Sequence, residues 1–287
     1  MNRDSLLTTF LLKNMIKLLY YQVGLKEFFM KKIIHKITLL ICVHCIIPII
    51  PVASQDEYEH LSIHPSDSTA FTQGFELNEA GELLLGTGLY GESKIGYLDL
   101  DTGHYDVVDQ LDKEFFGEGL TVTSDAVWQL TWRSGVAFKR DKDTLEIIDT
   151  VDYEGEGWGL AYDDQEDVIW MSDGTSVLEQ RDPNTFEVID TIDVTYNDQL
   201  VEEINELEFA NGYIYANVWY TNEIIVIDPK TGIVAYKYDL TEVLEENLTD
   251  QELDEIDSLN GIAHIEGNQF YITGKLYPVI FEIELKQ

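Results

Sequence analysis

Cysteine is almost missing from this chain. Of its 287 residues only Cys42 and Cys45 are cysteines, and both lie near the N-terminus. The remainder therefore has no disulfide, no thiol nucleophile and no thiolate metal site. Histidine is scarce too. Besides His35 and His44 there are only His60, His64, His104 and His264, which make no complete set of metal ligands. The sequence has no nucleophile elbow, P-loop, dinucleotide fingerprint or EF-hand pattern. Positive charge is also in short supply. Residues 1–54 hold seven of the 18 basic residues and two of the 54 acidic ones, so the rest carries 11 basic against 52 acidic side chains. Such a surface repels nucleic acid and anionic lipid. It reads either as a solvating surface, as in a saline habitat, or as an acidic binding face. Hydrophobic residues make up 45% of the chain, enough for a substantial core.

No apolar run is long enough for a comfortable membrane span. The longest, residues 37–50, follows Lys31, Lys32 and Lys36 and precedes the small residues Val52-Ala53-Ser54. That order is a secretory signal pattern. Residues 1–54 are expected to be a targeting segment, and the protein to be exported, periplasmic or secreted. An uncleaved N-terminal anchor is the alternative, and Met30 is a second candidate start. Ile41 and His44 precede the two cysteines where a lipoprotein signal needs a small residue.

Beyond residue 55 a repeat appears in two independent series. The first is an Asp-x-x-Thr turn at Asp99, Asp141, Asp182 and Asp228, at intervals of 42, 41 and 46. Asp opens such turns by accepting hydrogen bonds from the backbone that follows. The second is a polar or aromatic residue at a strand start: Gln73, Glu118, Trp158, Asn205 and Asn260. Each of the first four heads leads its Asp turn by 23 to 26 residues. Five repeats of about 46 residues suit four-stranded sheets, and predict a five-bladed β-propeller over 55–287. The fifth repeat lacks an outer strand, which residues 57–63 are free to supply. Residues 239–257 break the pattern. Their acidic character and the spacing of Leu240, Val243, Leu244, Leu248, Leu253 and Ile256 predict one or two short helices, with Thr249 as N-cap and Glu252 completing its box.

If the heads open the innermost strands, a hairpin of ordinary size brings each near the residue fourteen positions on. Gln73, Glu118, Trp132, Trp158, Asn205, Trp219, Asn260 and Lys275 then gather at one channel mouth. Phe71 and Phe116 join them by strand alternation. Tryptophan at such positions is either core or pocket wall; recurrence at equivalent phases beside polar groups favours the pocket. Glu118, between Gly117 and Gly119, is either a structural carboxylate or an acid–base group with a pKa raised by desolvation. Glu156 is a second carboxylate candidate. Scattered Asp and Asn residues leave a structural calcium ion in the channel as a weak possibility.

At these residues the chain resembles the plant- and bacterial-type glutaminyl-peptide cyclotransferases, the glutaminyl cyclases. The matching stretches include Phe71-Thr72-Gln73-Gly74, Phe116-Gly117-Glu118-Gly119, Leu130-Thr131-Trp132, Glu156-Gly157-Trp158-Gly159, Asn205-Glu206-Leu207-Glu208, Asn217-Val218-Trp219, Asn260-Gly261-Ile262 and Thr273-Gly274-Lys275. They keep the family's order from about residue 64 to the end. The resemblance implies a five-bladed propeller that converts an N-terminal glutaminyl residue to pyroglutamyl and releases ammonia. It implies Glu118 as the catalytic residue, with Phe71, Gln73, Phe116, Trp132, Trp158, Asn205, Trp219 and Lys275 forming the substrate pocket. No metal or other cofactor is implied. The expected partners are peptides or proteins with N-terminal Gln, and the expected state is a monomer, with no nucleic acid and no membrane contact beyond the signal segment. One departure is visible: Tyr277 stands before Pro278 where the family commonly has Trp after its Gly-Lys pair. The competing readings are a non-enzymatic propeller that binds peptide or sugar, and a lactonase-like hydrolase, which would need metal ligands in the channel.

Overall fold

Short runs of alternating or fully apolar residues, separated by Asp, Asn, Gly and Pro turns, fold as strands throughout. The structure, a computed structural model, describes residues 57–287; the expected targeting segment lies outside them. After β1 (Tyr58–Pro65) come β2 (Thr72–Leu77), β3 (Leu83–Thr87), β4 (Lys94–Leu98) and β5 (Tyr105–Gln110), which form the first four-stranded sheet in that order. The second sheet is β6 (Gly117–Val122), β7 (Ala126–Thr131), β8 (Val136–Asp141) and β9 (Ile147–Asp152). The third is β10 (Leu160–Asp163), β11 (Val168–Met171), β12 (Val177–Arg181) and β13 (Val188–Asp193). A small hairpin, β14 (Thr195–Tyr196) and β15 (Gln199–Leu200), precedes the fourth sheet. That sheet is β16 (Ile204–Ala210), β17 (Tyr213–Val218), β18 (Glu223–Ile227) and β19 (Val234–Asp239). The last contains β20 (Leu259–Glu266), β21 (Gln269–Gly274) and β22 (Val279–Leu285), with β1 paired antiparallel to β22 as its outer strand. The innermost strands touch in the cyclic order β2, β6, β10, β16, β20 and back to β2. The chain is a five-bladed β-propeller.

Five hydrophobic clusters fill the five seams between blades. Between blades two and three, for example, Phe186 stacks on Trp128 at 4.6 Å, and the Trp128 indole N–H donates to the carbonyl of Pro183. The outer strands run the other way in composition. Ile147, Ile148, Val188 and Ile189 stay exposed among acidic neighbours. The Asp turns lie between the third and fourth strands of blades one to four, and each Asp carboxylate caps following backbone N–H groups, as Asp99 does for Thr102 at 2.8 Å. Residues 239–257 form two helices, α1 (Thr241–Asn247) and α2 (Asp250–Glu255). Thr249 and Glu252 build a reciprocal capping box on α2, and α1 buries Val243 and Leu244 in the seam between blades four and five.

The repeat heads do not pair at fourteen residues in regular register. Four of the five inner hairpins carry a β-bulge at the head. Registers slip by one residue between Thr72 and Gly74, Gly117 and Leu120, Ile204 and Leu207, and Leu259 and Ile262. An extra residue on the inner strand breaks strict alternation and re-aims side chains there. Those strands also come very close to one another. A Cβ on Gly159 would stand 2.1 Å from the Asn205 carbonyl oxygen of the next blade. Only glycine admits that approach.

Disturbed ladders leave backbone donors to be satisfied by side chains. At the axis, neighbouring blades supply them. Glu206 of blade four accepts from Phe75 N–H of blade one at 3.3 Å and from Ile262 N–H of blade five at 2.9 Å. Asn217 Oδ1 accepts from Gly261 N–H, and the Ser172 hydroxyl donates to the backbone carbonyl of Asn205. Glu76 of blade one accepts from Val122 N–H of blade two at 2.9 Å. Burial pushes the Glu76 carboxyl up to about 8, against the hydrogen bonds from Val122 and Thr121. A carboxyl whose folded pKa exceeds its unfolded one contributes full stability below the unfolded value. That contribution is lost as pH rises to the folded value. Stability is thus expected to decline between about pH 4.5 and pH 8 on this account. Glu76→Gln keeps an acceptor for Val122 and removes the titration. In thermal melts it should match the native protein at pH 5 and exceed it at pH 8.5; an equal difference at both pH values would contradict this.

Candidate active site

One cavity of about 200 Å³ opens on the axis at the end of the ring where the inner strands begin. It is lined by Phe71, Gln73, Leu89, Phe116, Glu118, Trp132, Trp158, Asn205, Trp219 and Lys275. The structure brings nine of the ten residues expected at the channel mouth around one space, leaves Asn260 off its wall, and adds Leu89. Larger depressions, up to about 620 Å³, mix acidic and apolar side chains. The mouth cavity is the smaller but apolar one, built from side chains of all five blades.

Backbone ties hold the wall in place. Trp132 N–H donates to the Phe116 carbonyl, Trp158 N–H to that of Ser172, and Trp219 N–H to that of Glu203. Lys275 donates its N–H to the Ser258 carbonyl and bridges to Phe71, so the last blade meets the first at the cavity edge. Gly174, at φ +84°, lies flat beneath Trp158; a Cβ there would come within 2.6 Å of the indole ring. Leu89 also has positive φ, +81°, in the tight turn after β3. Its neighbours Gly88 and Gly91 signal the turn in the sequence, but nothing there marks the leucine as a wall residue.

The aromatic rings form a collar. Phe71 meets Phe116 edge-on at 6.2 Å, and Phe116 meets Trp132 at 5.5 Å. Trp158 meets Trp219 edge-on at 5.2 Å. Two links are charged rather than aromatic. Lys275 Nζ sits 5.2 Å from the Phe71 ring centre and 5.3 Å from that of Trp219. Between Trp132 and Trp158 stands Glu156. It does not line the cavity: its carboxylate is engaged by both indoles and by Arg133.

Polar groups occupy the floor. Glu118 is 5% exposed, and no hydrogen bond from the described residues reaches its carboxyl group. Burial and, after it, the negative charge of Glu156 push its pKa well above the ordinary carboxylate range, while Lys275 pulls it down. Burial lowers Lys275, and Glu118 and Asp257 pull it back up. Asn260 is not on the cavity wall; it donates to Gln73 Oε1 and to the Thr72 carbonyl, and so fixes the Gln73 amide with its oxygen turned away from free space. Two buried polar atoms of the wall have no partner, Asn205 Oδ1 and Trp219 Nε1. Tyr277 is buried behind Gly274 and does not line the cavity. Among the described residues no three His, Asp or Glu side chains converge to hold a metal ion.

A sequence model of the family described as Glutamine cyclotransferase matches residues 40–285. The chain belongs to the glutamine cyclotransferase family. The glutaminyl-peptide cyclotransferase of Arabidopsis thaliana is 37% identical over 234 residues, 81% of this chain and 72% of the plant protein. The crystal structure of Myxococcus xanthus glutaminyl cyclase superposes with a TM-score of 0.70 at 31% identity, covering 81% of this chain and 99% of that one. Glutamine cyclotransferases are enzymes, and this chain is one of them.

Proposed function

We propose that this protein cyclises the N-terminal glutaminyl residue of peptides and proteins to pyroglutamyl, with release of ammonia, and that Glu118 moves the protons. Family membership supports the reaction. The observation that carries the assignment of Glu118 is a buried carboxyl group that takes no hydrogen bond from the described residues and faces a cavity the size of one residue. A structural carboxylate in such a place would be held by backbone donors, as Glu206 is by two.

The α-amine of the substrate attacks the Cδ of its own side-chain amide. A C–N bond forms, the amine nitrogen loses a proton, and the amide nitrogen must gain one to leave as ammonia. Glu118 in its ionised form accepts the first proton and, once protonated, delivers it to the departing nitrogen. A raised pKa suits both halves of that cycle near neutral pH. Nucleophile and electrophile belong to one residue, so holding the side chain curled over its own amine removes most of the entropic barrier. The aromatic collar serves that purpose by packing on the aliphatic carbons and excluding water. Gln73, with its oxygen held by Asn260, turns its amide N–H₂ toward the substrate; with Lys275 it stabilises the oxyanion. Asn205 Oδ1, lacking a partner, accepts from the substrate amide and orients it. The scheme calls on no metal, and on the sequence pattern of its first 54 residues the protein works after export.

Ammonia release from a Gln-initiated dipeptide, measured with and without a chelator, tests the reading. Release at equal rates in both arms supports it. Retained peptide or sugar binding without ammonia would favour the binding-module reading instead.

A further inference from the structure

The collar has a weak point at the seam between blades two and three, where Trp132 and Trp158 approach without touching ring to ring. Glu156 occupies it. One carboxylate oxygen, Oε2, accepts the indole N–H of Trp132 at 2.7 Å and that of Trp158 at 3.2 Å. The other, Oε1, accepts Arg133 Nε at 2.8 Å. The Arg133 guanidinium in turn lies over the Trp132 ring, 3.8 Å from its centre. Both partners are outside the cavity and solvent reaches them: the Arg133 side chain is 58% exposed and that of Glu156 36%.

An exposed ion pair by itself contributes little. This one carries more geometry than a surface pair. Two indoles share one acceptor atom, so the carboxylate fixes the angle between two walls of the site. Three of its roughly four acceptor positions are taken by these donors, both on Oε2 and one on Oε1. The hydrogen bonds from Arg133, Trp158 and Trp132 outweigh its partial burial and hold it below the ordinary carboxylate range. It is thus ionised at neutral pH.

We propose that Glu156, held by Arg133, is a positioning residue of this site: it ties Trp132 to Trp158 across the seam and carries a negative charge that acts on Glu118. The inference rests on the cyclisation reading above and assigns how that site is kept in shape and in its protonation state. The titratable groups facing Glu118 are Lys275, Glu156 and the Tyr153 hydroxyl, which donates to the Thr131 carbonyl. Lys275 favours the ionised carboxyl and Glu156 the protonated one. The two charged links of the collar therefore act on Glu118 in opposite senses, and removing either charge moves its titration in a known direction.

Three variants separate the two duties. Glu156→Gln retains an oxygen that accepts from the indoles and removes the charge. Glu156→Ala removes both. Arg133→Met, at an exposed position, releases the clamp without touching the core and covers the case in which Glu156→Ala does not fold. The readouts are kcat and KM for a Gln dipeptide against pH, and the indole N–H resonances of the ¹⁵N-labelled protein. For Glu156→Gln, indole shifts close to native, KM within about twofold, and an acidic limb of kcat/KM moved to lower pH are expected. Glu156→Ala should displace two indole resonances and raise KM about tenfold, the equivalent of one mispositioned contact of ~1.4 kcal/mol. Arg133→Met should raise KM about threefold. Indole resonances unmoved in Glu156→Ala, KM unmoved in both Glu156→Ala and Arg133→Met, or a pH profile of Glu156→Gln superimposable on the native one would overturn the proposal. Glu118→Gln, run alongside, separates the two levels. If it abolishes ammonia release while the Glu156 variants behave as native, only the positioning role fails; if it turns over normally, the reading of the site itself fails.

Discussion

Glu118→Gln is expected to lose about two to four orders of magnitude in kcat, the range for a general acid–base group, while KM stays close to native. The amide keeps the shape of the carboxyl group and its contacts with the collar, so substrate still binds. It cannot accept the proton from the attacking amine at any useful pH. The second half of the expectation concerns stability. Glu118 receives no hydrogen bond from the described residues, and its pKa is raised by burial. A raised carboxyl pKa lowers stability as pH climbs past the unfolded value, so replacing the group by a neutral one removes that loss. The variant should melt at or above the native temperature at pH 8 and show no gain at pH 4. Loss of activity together with unchanged or higher stability marks a residue kept for chemistry at a cost to the fold. Near-native turnover, or a strongly destabilised protein, would mean that Glu118 is structural.

Glu206→Ala should do the reverse. Glu206 sits one residue past Asn205 but does not line the cavity. It crosses the axis to Phe75 and Ile262, the backbones of blades one and five. Truncation leaves two buried N–H groups without partners, at about 1–3 kcal/mol each. For a domain of this size, each kcal/mol moves the melting temperature by roughly 2–4 °C. The expected drop is therefore roughly 4–24 °C by those same figures. Glu206→Gln retains one acceptor oxygen and should fall between the two. Thermal melts at pH 6 check the order native, Gln, Ala; an alanine variant within a degree or two of native would show that the axis relaxes around the gap.

The two carboxyl groups also indicate what could be read beforehand. The repeat heads were legible because each blade needs a polar or small residue where its innermost strand meets its neighbours, and that need recurs at a spacing a reader can count. Nine wall residues followed from it, and the acidic helical excursion followed from its own apolar spacing and capping box. The bulges did not. A one-residue slip leaves no mark on a hydrophobic pattern only six residues long, yet it decides which way Gln73, Glu118 and Asn205 are displaced from strict alternation. The hairpin at Thr195–Leu200 was missed although its turn, Asn197-Asp198, is a good candidate for two consecutive positive φ angles. It was hidden inside an interval whose length looked ordinary. Glu156 was legible as a carboxylate near the site and illegible as a clamp, because both of its indole partners depend on tertiary approach across a seam. Leu89 owes its place to a strained turn, which sequence marks only through its glycines.

The seating of β1 against β22 bears on the order of events during synthesis. His64 and Glu282, joined through Ser62 and Nε2 of the histidine, lie 218 residues apart in sequence. A chain made or threaded from its N-terminus has β1 in hand long before its partner exists. Until β22 arrives, β1 has no ladder to join and the final sheet stands one strand short, with its backbone donors open to other chains. Closing so long a loop is also slow. The propeller thus becomes a finished ring only after the whole chain is present, and a chain halted anywhere earlier is an open strip of blades.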